Sequence, residues 1–147
     1  MQDSNYLTLE QNENFPACFP DDFEQNILPH DVEFRAYHAY RILKMGTLDR
    51  NAFISSFEEF KDNTYKPRGF NIRSPETFST SVLSDLQDAK NLLKFMCRHH
   101  PHPLIAEGFT EPSCGPCKKS YNSTHINWWL FKNAHPEYFF KVVELDE

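Results

Sequence analysis

Cys114 and Cys117 stand either side of Gly115-Pro116, and that spacing serves two chemistries. A thiol made acidic at a helix N-terminus attacks disulfides, with its neighbour resolving the product. The same pair can instead supply two thiolates to a tetrahedral zinc ion, the Gly-Pro turn holding both sulfurs on one side. A second group capable of chemistry is spread along the chain. Arg35 could clamp an anion, Ser79, Thr80 and Ser81 form a hydroxyl-bearing run, and His125 precedes Trp128 and Trp129. An imidazole beside aromatic rings suits proton transfer, and the indoles suit stacking against a planar ligand or anchoring a partner.

The string Cys114-Gly115-Pro116-Cys117-Lys118 resembles the active site of thioredoxin-like oxidoreductases. That chemistry needs a buried strand running straight into the first cysteine and a long amphipathic helix opening on it. Here Glu111-Pro112-Ser113 intervenes, the following KKSYNSTHIN is polar, and 30 residues remain after Cys117. The motif is therefore expected to be a Pro/Gly loop outside a thioredoxin context. For zinc, Cys97 and His99 lie across one expected strand from the pair. The set Cys97, His99, Cys114 and Cys117 would complete a tetrahedron and clip a helix to the loop.

Arg35 on an early strand, followed by Phe78-Ser79-Thr80-Ser81 on a later one, resembles the ADP-ribosyltransferase-like fold. The resemblance implies NAD as cofactor. Arg35 would hold the dinucleotide phosphates, and Ser79, Thr80 and Ser81 would support the nicotinamide pocket. A late-strand carboxylate would face the developing positive charge on the ribose, and Glu144 on the last expected strand is the candidate, with Glu107 an earlier one. The Glu-x-Glu pattern of that family is absent, and His125 and Asn127 occupy the late position with different chemistry. Catalytic candidates are thus Arg35, Ser79, His125 and Glu144. Candidate ligand contacts are Arg35, Ser79, Thr80, Ser81, Trp128 and Trp129.

Several elements must position these residues. Residues 1–30 are polar and Pro-punctuated, and read as an extended arm pinned by Tyr6, Phe15 and Phe19. Residues 31–147 read as one α+β domain with a small mixed sheet and two main helices. Asp31 to Tyr37 alternates as a half-buried strand. Phe53, Phe57 and Phe60 recur at helical spacing after an N-cap at Thr47 or Asp49. Thr77 to Val82 reads as a strand, and Ser84 with Gln87 reads as a capping box. Leu86, Ala89, Leu93 and Met96 are expected as the buried stripe of the helix that follows. Leu104 to Thr110 and Tyr138 to Leu145 read as strands, while His125 to Phe131 suits helix and strand equally.

Composition narrows the function. Fifteen basic residues face 21 acidic ones, for a net charge of −6, and no basic footprint for nucleic acid is visible. No apolar run reaches the ~18 residues of a membrane span. The first residues lack a basic and an apolar region, so no secretory signal is expected and a cytoplasmic location is. There is no Gly-rich phosphate loop, nucleophile elbow or His-Glu-x-x-His helix. By elimination the leading expectation is an interaction or regulatory protein that binds a protein partner through aromatic and acidic surface. An NAD-binding ADP-ribosyltransferase-like domain and a zinc-stabilised module are the alternatives.

Overall fold

The computed structural model describes residues 14–145. They form a single α+β domain around a six-stranded sheet in the order β4-β5-β2-β1-β3-β6. The strands are β1 His38–Leu43, β2 Thr80–Leu83, β3 Leu104–Phe109, β4 Cys117–Lys119, β5 His125–Trp128 and β6 Phe140–Val142. Every pairing is antiparallel, so the sheet is not mixed. None of the described helices is long and apolar enough to cross a membrane.

The first strand is not where alternation placed it. Residues 31–37 make one isolated bridge, Glu33 with Cys117, and Phe34 is 62% exposed. β1 begins at His38 and lies at the sheet centre, covered on both faces. Ala39 and Leu43 enter a cluster with Phe53, Val82, Ile126, Trp128 and Phe140. Tyr40 and Ile42 pack on the other face with Ile105 and Ala89. A strand buried on both sides reads as a continuous apolar run, so alternation is no guide to it.

The helix expected from Thr47 is divided in two. Asp49 caps a short 3₁₀ turn, Arg50–Phe53, through the Ala52 N–H. Ile54 is extended, and Ser55 restarts the chain as α1, Ser56–Phe60, with a complete capping box to Glu58. Phe53 thereby reaches the core, and Phe57 turns to Phe78 at 4.7 Å between ring centroids. The long helix, α2 Leu86–Met96, is capped by Asp85, which accepts from the Asp88 N–H; Ser84 is not the cap. Ala89 is buried, and Leu86, Leu92, Leu93 and Met96 lie against the sheet.

Residues 14–28 cover a third apolar cluster. Phe15, Phe19, Phe23 and Ile27 pack on Phe78 and Trp129, and the Lys132 N–H donates to the Asn14 carbonyl at 2.7 Å. Tyr6, the other expected pin, lies outside the described residues.

Candidate functional site

The cysteine pair is built into the core. Cys114 closes a 3₁₀ turn, Pro112–Cys114, and Cys117 opens β4. Both are buried. Gly115 between them has φ 143, and a Cβ there would fall 2.0 Å from the Trp129 carbonyl oxygen. The turn is zipped to the strand opposite: the Phe131 N–H donates to Cys114, the Trp129 N–H to Pro116, and the Trp128 indole N–H to Gly115 at 3.1 Å. Burial pushes both thiols up, against opposing bonds to the His135 backbone at Cys114 and to Thr110 at Cys117. Neither cysteine opens a helix, and a thiolate is disfavoured at both.

Cys97 and His99 are exposed at the C-terminal end of α2, on the far side of β3 in sequence from the buried pair. Among the described residues no group of three or more His, Cys, Asp or Glu side chains is placed to hold a metal. The four residues expected to bind zinc are therefore not brought together.

Trp128 and Trp129, expected as ligand contacts or partner anchors, are both buried. Trp128 sits among Phe53 and Phe140. Trp129 would face outward were it not for residues 15–27, whose rings cover it, and its indole N–H donates to the Pro75 carbonyl at 2.9 Å. Neither ring is free to stack on a ligand.

The hydroxyl run is divided among three tasks. Ser79 is buried and bonds Asn127 Oδ1 at 2.9 Å and the Glu76 carbonyl. Thr80 donates to the Phe53 carbonyl from the opposite face. Ser81 is exposed and its Oγ lies 2.9 Å from His125 Nε2. Arg35 does not join them. Its guanidinium lies 4.6 Å over the Tyr37 ring, and its carbonyl is held by Thr110 beside Cys117. Glu144 is exposed beyond the end of β6, and Glu107 bonds His38 at 2.7 Å.

The cation beside the Ser strand is Arg41. β1 and β3 are paired at six positions, but β1 and β2 share a single one, Tyr40 with Leu83. Beyond it the two strands part. Arg41 enters the gap, Nε donating to the Ala52 carbonyl at 2.8 Å and Nη1 to the Ser81 carbonyl at 2.9 Å. A guanidinium thus stands where the ladder between the strands has stopped. Desolvation lowers its pKa to about 10, with Glu59 opposing, so it stays cationic at neutral pH.

A cavity of about 330 Å³ occupies the split. β1 contributes Tyr40, Arg41, Ile42 and Lys44; β2 and its lead-in contribute Ser79, Ser81 and Leu83; Ser56 and Glu59 come from α1, Leu92 and Met96 from α2, and His125 from β5. Lys44 Nζ bonds the Glu59 carboxylate at 3.2 Å. A second cavity of about 310 Å³ adjoins it along Arg41, Ile42, Lys44, Ile54 and Glu59. Burial holds the His125 imidazole below its ordinary range, with the Glu76 carboxylate acting the other way. No protein-family model, curated protein or solved structure matches the chain.

The cleft thus combines the Arg41 guanidinium, a Lys44–Glu59 ion pair, serine hydroxyls, a neutral imidazole and an apolar wall, a mixture suited to an amphipathic ligand. Sequence reasoning reached Ser79, Ser81 and His125 but missed Arg41, Lys44, Ser56 and Glu59. The available signal was a lone cation inside the apolar run Ala39-Tyr40-Arg41-Ile42-Leu43. Such a residue must find carbonyls or an anion when the strand is buried.

Proposed function

We propose that the chain is a binding domain for a phosphate-bearing small molecule of the nucleotide class, held in the split between β1 and β2. The observation that carries this reading is the Arg41 guanidinium, fixed by two backbone carbonyls and facing an open, hydroxyl-lined cavity. Backbone anchoring pre-orients the cation, so a bound anion costs little side-chain ordering. Tyr40, Leu83, Leu92 and Met96 offer an apolar surface to the uncharged part of the ligand. The likeness to the ADP-ribosyltransferase-like fold enters here with Arg41, not Arg35, as the phosphate clamp beside Ser79 and Ser81, and NAD as the first ligand to try. Glu59 is the carboxylate that lines this cleft.

The test is calorimetric titration of the full chain with NAD, ADP-ribose, a nucleoside diphosphate and the unphosphorylated nucleoside. Saturable binding of a phosphorylated ligand, weakened about 10-fold or more in Arg41→Ala, is expected, as loss of a charge-assisted bond costs about 1.5–3 kcal/mol. Equal binding of the unphosphorylated nucleoside, or no binding of any phosphorylated ligand, would remove the reading.

A second reading, recognition of a protein partner, is favoured by a separate surface. Phe109, Tyr138 and Phe139 are exposed around a cavity of about 410 Å³ that also includes His38, Glu107 and Lys141. Tyr138→Ser with Phe109→Ser would abolish capture of a partner there and leave nucleotide binding untouched.

A further inference from the structure

Of the hydroxyls in the Ser-Thr-Ser run, one is left for chemistry. Ser79 and Thr80 are spent on buried bonds within the fold, whereas among the described residues the side-chain partner of Ser81 Oγ is an imidazole, His125 Nε2 at 2.9 Å. The two residues stand on neighbouring strands whose register is fixed at four positions. The His125 backbone is tied at both ends: its N–H donates to Ser123 Oγ at 3.0 Å, and its carbonyl accepts from the Ser120 N–H at 2.9 Å. Both side chains line the Arg41 cavity. With the ring proton on Nδ1, Nε2 accepts from the Ser81 hydroxyl, which is the geometry of an activated nucleophile. The burial that keeps His125 neutral leaves that lone pair available at neutral pH.

The geometry points to Ser81 as a nucleophile and His125 as its general base, together hydrolysing an ester at the mouth of the cleft. Arg41, bonded to the Ser81 carbonyl, places positive charge close by, while Lys44 is paired with Glu59; the expectation that the acyl half carries an anionic group rests on the anion-binding reading above. In the first step Ser81 Oγ bonds to the ester carbonyl carbon and its proton passes to His125 Nε2. The carbon–oxygen bond to the leaving alcohol breaks, and that oxygen takes the proton from His125. Water then adds to the acyl-Ser81 carbon with His125 again accepting the proton, the Ser81–carbon bond breaks, Ser81 Oγ takes that proton back from His125 Nε2, and the acid departs with both residues restored.

The decisive experiment is labelling of the full chain with a fluorophosphonate probe, read by intact mass and peptide mapping, alongside hydrolysis of a neutral and a carboxylate-bearing 4-nitrophenyl ester. One adduct per chain on Ser81 is expected. It should be absent in Ser81→Ala and at least about 10²-fold slower in His125→Ala, with circular dichroism and Tm confirming that both variants are folded. Should His125→Ala not fold, His125→Gln, which retains a polar side chain on β5, supplies the same comparison. No adduct, an adduct on another residue, or labelling unchanged by loss of the imidazole would overturn the proposal. Labelling of Ser81 with equal rates on the two esters would support the pair and remove the anion site instead, so the two readings fail separately.

Discussion

The Cys114–Cys117 turn and the Arg41 cleft make an instructive pair. The turn carries the more conspicuous motif, yet the carbonyls of Cys114, Gly115 and Pro116 are each taken by residues 128–131, and both thiols are buried. The cleft carries ordinary residues, but they line a place where the sheet ladder stops after one paired position. What separates the two regions is completeness of pairing. Where every backbone group has a partner, reactive side chains become packing. Where strands part, side chains must satisfy the backbone, and the space between is open to a ligand.

The largest effect is expected at Gly115. Gly115→Ala sets a Cβ against the Trp129 carbonyl in a backbone region open to glycine, and a loss on the order of 3–5 kcal/mol is expected by thermal or urea unfolding. Trp128→Ala empties a fully buried site and orphans the Gly115 carbonyl, for a similar loss of about 3–5 kcal/mol. A small effect from either would mean that the turn is not a packing element. Thiol counting on native protein sharpens the contrast next: Cys18 and Cys97 are exposed and Cys114 and Cys117 buried. Two fast and two slow thiols should appear, the slow pair reacting only on unfolding.

In the cleft, expected stability effects are smaller and depend on pH. Burial holds folded His125 below the ordinary imidazole value of 6.5, so its neutral form belongs to the fold. That contribution is complete above pH ~6.5 and declines as pH falls and the unfolded chain takes up the proton, levelling off once the folded ring titrates too. Tm measured between pH 7.5 and 5 should fall on the acid side, and His125→Gln should flatten that limb. The smallest effect lies far from both regions. The Arg73 side chain holds the exposed Asp22 carboxylate at about 2, with Asn26 assisting. Stability from this pair is present above pH ~3.8 and is lost as pH falls toward 2. In Arg73→Ala the Asp22 resonance should titrate at higher pH, moving from about 2 toward the ordinary 3.8.

Strands such as Leu104–Phe109 and Phe140–Val142 were legible because each is a short apolar or aromatic run bounded by turn-forming or polar residues. The central strand was not, since it is covered on both faces by separate segments of the chain, Phe53 and Val82 on one side and Ala89 and Ile105 on the other. The divided helix at Arg50–Phe60 shows local chemistry defeating periodicity: three phenylalanines fit a helical stripe, but the Ser55–Glu58 capping box starts a new helix between them. Ser79, Ser81 and His125 could be found by residue type. Arg41 could not be paired with them, because the parting of β1 from β2 is a property of the assembled sheet.

The outermost strands have a bearing on how the molecule behaves in a crowded solution. β4 and β6 are three residues each, β4 carries Lys118 and Lys119, β6 carries Lys141, and Glu33 bridges β4 at Cys117 from outside. Short, lysine-bearing borders give an incoming chain little backbone to extend and a desolvation penalty for trying. The sheet therefore resists growing into fibrils from either side, even though its aromatic content would otherwise favour them.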